Sequence, residues 1–199
     1  MTLWMRISLL LLFPLLIAVP CMAQIGVQMG GGLSGFLDGE SKDARFPYPI
    51  FSPRFGITYH KTFQHFTLQP EIAMLKKGAS GSTRNTWNGD TWSDFRVSMW
   101  YIEPSILIAK PVMDSLDLIG GLSLGMFWDG SMTNKGIDPD EISRFNECAN
   151  IGLQYRTPYQ GLLVDIRYQI GLLGITLYDG NTFTNERTNM LSLTGIYLF

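Results

Sequence analysis

Five charged residues stand in stretches where every second side chain is apolar: Arg54, Glu71, Glu103, Asp165 and Arg167. The clearest stretch sets Asp165, Arg167, Gln169 and Gly171 between Val164, Ile166, Tyr168, Ile170 and Leu172. A repeat of two is the signature of a β-strand with unlike faces, so the acids and bases share one face. Gln28, Gln69, Asn150, Gln154 and Gln169 join them there. Opposite charges crowded on an enclosed face are expected to pair, because an unpaired buried ion is costly. The direct reading is a salt-bridged polar plug that holds strand register. The sharper alternative is a proton or ion path, or a substrate pocket.

Other reactive residues are sparse. His60 and His65 flank a short turn, with no acid or nucleophile close in sequence, and read as solvated turn residues. A lipid-modifying barrel enzyme would want a histidine with a serine and an acid at the outer lipid interface, so no catalytic residues are expected. Cys148 falls on the inward face as a small filler without a basic neighbour in sequence. Asp38, Glu40, Asp43, Asp90, Asp94, Asp138, Asp140 and Glu141 crowd the loops but lack the ligand spacing of a calcium cage. Neither metal nor cofactor is expected. Trp87 and Trp92, in a polar loop, mark the candidate contact site, since exposed large aromatics often signal an interaction surface.

Eight strands of about ten residues must position these groups: 24–35, 50–60, 66–76, 97–110, 116–128, 145–156, 162–173 and 189–199. The links after strands one, three, five and seven (36–49, 78–96, 129–144, 174–188) are polar and span about 14 to 19 residues. Those after strands two, four and six (61–65, 111–115, 157–160) hold four or five. Strict alternation of long and short links predicts an antiparallel up-and-down barrel with short periplasmic turns, long external loops and periplasmic termini.

Energy decides which face meets lipid. Exposing Arg167 to mid-bilayer hydrocarbon would cost about 2–4 kcal/mol, and an acid somewhat less, so the apolar set faces out. Aromatics fall near strand ends as interfacial girdles. Trp100, Tyr101, Trp128, Phe145 and Tyr178 lie on the loop side; Tyr59, Phe63, Phe66, Tyr155, Tyr159, Tyr197 and Phe199 lie on the turn side. A soluble lipocalin-like barrel would invert the two faces, and strand pattern alone does not separate the two. The girdles, the link alternation and the apolar ending NMLSLTGIYLF favour the membrane barrel.

Residues 1–23 read as a secretory signal, with Arg6, an apolar run from Ile7 to Val19 and a small Ala23 before the cut. A lipid-modified Cys21 is the rival, disfavoured by Pro20 before it. Removing 23 of 199 residues leaves 176 for a single barrel domain, 24–199, and takes away Arg6, moving the net charge from −2 to −3. That balance gives no basic footprint for nucleic acid. Cys148 then stands alone, so no internal disulfide forms. Beyond the signal no run of about 18 apolar residues exists for a spanning helix.

Three stretches carry a family resemblance: Gln69-Pro70-Glu71 through Leu75-Lys76-Lys77-Gly78-Ala79, Tyr101-Ile102-Glu103-Pro104, and Asp165-Ile166-Arg167-Tyr168-Gln169-Ile170-Gly171-Leu172. Together with the closing Tyr197-Leu198-Phe199 they make the chain resemble the PorT-like outer membrane protein beta-barrel domain family of Bacteroidetes-type bacteria. Pro104 arrives one residue early, and Leu173-Gly174-Ile175 replaces the usual sequence after strand seven. The resemblance implies an outer-membrane location and a secretion-accessory role. Expected partners are outer-membrane lipid and lipopolysaccharide, an envelope or secretion-complex protein, and the barrel insertion machinery, which would read Tyr197 and Phe199 as a C-terminal signal.

Overall fold

The computed structural model describes residues 23–37, 44–85, 91–132, 135–136, 145–178 and 183–199. Eight long strands form a closed antiparallel barrel: β1 (Ala23–Phe36), β2 (Ala44–Thr62), β3 (Thr67–Asn85), β4 (Thr91–Met113), β5 (Leu116–Met132), β7 (Phe145–Arg156), β8 (Leu162–Gly171) and β11 (Thr188–Leu198). Between them, β6 (Lys135–Gly136) pairs with the end of β5, and β9 (Ile175–Tyr178) pairs with β10 (Phe183–Glu186) as a separate hairpin. Sequence neighbours pair throughout the barrel, and β11 closes on β1, with Gly26 opposite Leu198 and Phe36 opposite Thr188. Closure leaves no strand edge, which membrane hydrocarbon would not tolerate.

Alternation sorts the two faces as the sequence predicts. Ile25, Val27, Met29 and Leu33 of β1 point outward, as do Ile57, Ile72, Ile106, Leu122, Ile151, Ile166, Leu191 and Leu193 around the ring. The facing set is buried, and most of its members are polar. Among the described residues no helix is long and apolar enough to cross a membrane; the crossing elements are strands.

Strand length departs from expectation on one wall. β2, β3, β4 and β5 run 19, 19, 23 and 17 residues, well past the roughly 9–11 needed to cross the hydrocarbon. Much of what reads as loop at 36–49, 78–96 and 129–144 is therefore paired strand. The physical reason is that backbone pairing continues above the apolar belt, because every N–H and C=O still gains a partner there. Lys76, the last residue of the third strand as the sequence delimits it, pairs with Trp100 of β4. The other wall is short: β8 ends at Gly171 and β11 spans 11 residues.

The short connections collect at one end. Phe63 donates its N–H to Phe66 O (2.8 Å) in the first, and Gly161 takes φ +80° in the third, a left-handed angle that favours glycine. At the seam, glycine is needed for space. A Cβ on Gly32 would lie 2.0 Å from Leu191 O, and one on Gly30 2.2 Å from Leu193 O. β1 and β11 approach so closely there that only hydrogen fits.

Candidate functional site

The lumen holds the chemistry. All five sequence-predicted charges point into it, each no more than 4 % exposed: Arg54 on β2, Glu71 on β3, Glu103 on β4, and Asp165 with Arg167 on β8. Glu71 is the hub. Its Oε1 accepts from Arg54 Nη2 (2.5 Å) and from Arg167 Nη1 (2.5 Å), while Gln28 Nε2 donates to Oε2 (3.2 Å). Arg167 Nη2 also donates to Asp165 Oδ2 (2.5 Å), and Arg54 Nη1 lies 3.9 Å from Glu103 Oε1. The predicted network therefore exists as one connected unit.

One member is missing from the predicted set. Lys77, buried on β3, donates to Glu103 Oε2 (2.7 Å) and Asn146 Oδ1 (3.2 Å), with Nζ also 3.2 Å from Cys148 Sγ. Lys77 lies one residue past the third strand as the sequence delimits it, 66–76, and well inside β3. Extending the same parity from Gln69, Glu71 and Ala73 by two more steps brings Lys77 inward. It also gives Cys148 the basic neighbour that sequence spacing concealed. Arg54, Arg167 and Lys77 thus balance Glu71, Glu103 and Asp165.

Amides complete the layer. Gln169 Nε2 donates to Glu103 Oε1 (2.5 Å) and Ser123 Oγ (3.0 Å), and Gln69 Nε2 donates to Gln154 Oε1 (2.9 Å). These bonds cross the lumen between strands that are not neighbours, so the interior is filled by side chains, as eight strands allow. Leu75, Met99, Tyr101 and Met190 pack with the network, each no more than 2 % exposed.

Tyr101 corrects an expected girdle position. Its neighbour Trp100 takes the outward place and stacks near Phe55, with ring centroids 6.4 Å apart. Tyr101 therefore turns in, fully buried, with its ring under Lys77 Nζ at 5.6 Å. His60 is a second correction. Strand parity continues through it, so it faces the lumen 5 % exposed instead of standing in solvent, whereas His65 is exposed as expected. An ion pair unseen in the sequence sits at the turn-side mouth, where Arg156 Nε and Nη2 donate to Asp117 Oδ2 (3.0 Å) and Oδ1 (2.5 Å).

The remaining predicted sites lie at the two ends. Trp87 is outside the described residues, and Trp92 belongs to β4, opposite Arg84, not to a loop. Of the loop acids, Asp94 sits exposed on β4; Asp38, Glu40, Asp43, Asp90, Asp138, Asp140 and Glu141 lie outside the described residues. Residues 1–22, most of the expected signal segment, do so too, and Ala23 already pairs with Lys61 as the start of β1. At the turn side Tyr197 and Phe199 meet edge-on at 5.3 Å, and Phe199 N–H donates to Ile25 O (2.9 Å).

An eight-stranded antiparallel barrel with an apolar outer belt and an ion-paired lumen is a small transmembrane β-barrel. One solved structure shares this fold, and two others are similar at a lower level. Neisserial surface protein A (NspA) superposes with a TM-score of 0.58 at 14% identity, over 89% of this chain and 99% of that one. Ail, the attachment invasion locus protein of Yersinia pestis, gives 0.48 at 12% identity over 89% and 99%, and outer membrane protein W of E. coli 0.44 at 10% over 91% and 100%. The chain thus has the fold of the small outer-membrane barrels. No family model and no curated protein matches its sequence.

Proposed function

We propose that this protein is an outer-membrane anchor that carries the β2–β5 wall beyond the lipid belt, with an adhesive or secretion-accessory role and no catalytic activity. The observation that carries this reading is the contrast between lumen and wall. The interior is closed by the Glu71 and Glu103 ion pairs, while the strands of one wall run far beyond the membrane. A filled lumen suits an anchor, and a tall paired hairpin suits a contact surface. The hairpin 78–96 faces the exterior in this reading, the turns and termini face the periplasm, and lipopolysaccharide surrounds the belt. The resemblance to PorT-like barrels supports a secretion-complex protein as the partner. Tyr197 and Phe199 serve the insertion machinery as its recognition end.

The test is a pull-down from intact envelopes with the full chain and with 78–96 replaced by a short turn. A partner lost only with the shortened hairpin supports the reading; an identical capture from both overturns it. A narrow channel is the competing reading, because the lumen is polar, and single-channel steps in planar bilayers would favour it. Changed lipid-A mass spectra on deletion would instead indicate an outer-leaflet enzyme.

A further inference from the structure

A thiol and a primary amine meet inside the barrel, and nothing in the anchor reading uses them. Cys148, the one free thiol among the described residues, is fully buried, and so is Lys77. Cys148 Sγ accepts from Lys77 Nζ at 3.2 Å, while the thiol donates to Asn146 Oδ1 at 2.5 Å. Lys77 stands on β3 and Cys148 on β7, with β4 and β5 between them, so the contact crosses the lumen. The two residues are 71 positions apart in the chain, and only the closed fold brings them together.

Their place in the fold supplies access. Cys148 is the fourth residue of β7 and pairs with Gly171, the last residue of β8. Asn146, beside it, bonds Thr188, the first residue of β11. The pair therefore lies at the loop-side rim of the short wall, and strand ends are where local opening is easiest. Hydrogen peroxide is small and uncharged, so a brief opening of that rim admits it. Peroxide takes a thiol to a sulfenic acid, which then condenses with a second thiol or with a nitrogen. The described residues hold no second thiol, and the nitrogen in contact with Sγ is Lys77 Nζ. Glu103 Oε2, 2.7 Å from Nζ, stands ready for the proton that the ammonium must shed. Joining Nζ to Sγ thus turns a buried ion pair into two neutral groups and orphans no charge.

We propose that Lys77 and Cys148 form an oxidation-driven covalent lock, in which hydrogen peroxide oxidises Sγ and Nζ then closes an S–N bond that ties β3 to β7. In the first step Sγ takes one oxygen from peroxide and the other leaves as water. In the second, Nζ attacks sulfur and the S–O bond breaks. Of the three ammonium protons, one stays on Nζ, one leaves with the hydroxyl as water, and one passes to Glu103. Sulfur loses two electrons in all, and peroxide ends as two waters. A thiol reductant returns the free amine and thiol. The lock goes beyond the anchor reading and stands whether or not the tall wall binds a partner.

The test treats the folded full chain in lipid nanodiscs with hydrogen peroxide and maps its peptides by mass spectrometry, which also separates any oxidised methionine. The expected product is a peptide containing Lys77 joined to one containing Cys148, lighter by two hydrogens than the sum of the two. Dithiothreitol should release both. On a non-reducing gel the boiled, joined chain keeps a closed loop and should run ahead of the untreated chain. The same treatment in urea, where the strands separate, should yield no joined peptide. Cys148→Ala should lose the product. Lys77→Met paired with Glu103→Leu, which removes both charges together, should stop at oxygen gained on Cys148. The wild-type map decides the matter even if either variant folds poorly. An unmodified Cys148, oxygen gained there without a joined peptide, two hydrogens lost within the Cys148 peptide alone, or equal joining in urea overturns the proposal.

Discussion

Glu71 on β3 and Arg167 on β8 stand on opposite walls of an eight-stranded ring, four strands apart either way around, and their side chains meet at 2.5 Å. A bond across the full diameter ties two halves of the sheet that share no backbone ladder. Removing the carboxylate takes the closest acid from Arg54, which depends on the same oxygen, and leaves Arg167 with Asp165 alone. Glu71→Ala is expected to destabilise the barrel by about 3–5 kcal/mol, the usual effect of orphaning a buried charge. Urea titration of refolded protein, read by the heat-sensitive gel shift, measures it.

Lys77 and Glu103 form the second such pair, at 2.7 Å with both side chains buried. Lys77→Met alone leaves Glu103 with only distant Arg54 and the Gln169 amide, and should cost a similar 3–5 kcal/mol or so. The double variant Lys77→Met with Glu103→Leu removes both charges and should recover most of that loss, since apolar replacements of buried pairs are often neutral. A double variant no better than the worse single one would show that the pair matters through shape and not charge. The same urea titration decides it.

The seam sets a separate limit. Gly32→Ala places a Cβ 2.0 Å from Leu191 O, against backbone that has no room to retreat while β1 and β11 stay paired. The variant is expected to fold poorly, leaving most material in the unshifted gel band. Gly120→Ala is the control, because its Cβ meets nothing nearer than Asn150 O at 3.7 Å, and it should fold normally.

Phe199 acts at the same seam. Its N–H bonds Ile25 O and its ring packs on Tyr197, so it holds the turn-side end of the closure. Phe199→Ala should lower the amount of barrel assembled in envelopes, measured by quantitative blotting of heat-shifted protein, more than shortening the hairpin 78–96 does. Equal levels of wild type and Phe199→Ala in the membrane would exclude that role.

Much of this arrangement is legible in the amino-acid order. The alternation of Asp165, Arg167 and Gln169 with Val164, Ile166 and Tyr168 identifies strand, face and lumen at once, because the period of two survives wherever lipid meets one side. The reading fails where lipid stops. Above Lys76 the lumen side stays buried, at Lys77, Ala79, Val97 and Met99, but the outer side loses its apolar run, the repeat loses contrast, and strand looks like loop, so Lys77 falls outside the strand and Trp92 inside a loop. Tyr101 and His60 show a different limit. Tyr101 lies midway along β4 and His60 near the end of β2, but an aromatic or a histidine suits either face, and only parity counted from neighbouring residues assigns it. The bond between Glu71 and Arg167 is invisible to any local pattern, since 96 residues separate them.

The equal number of cations and anions in the ladder of Arg54, Arg167, Lys77, Glu71, Glu103 and Asp165 also has an electrical meaning. A unit charge moved across a membrane couples to its potential by about 2.3 kcal/mol per 100 mV. A ladder whose charges cancel pair by pair carries almost none of that coupling, so a changing potential has no handle with which to pull the plug toward either end. The interior is built to stay indifferent to voltage.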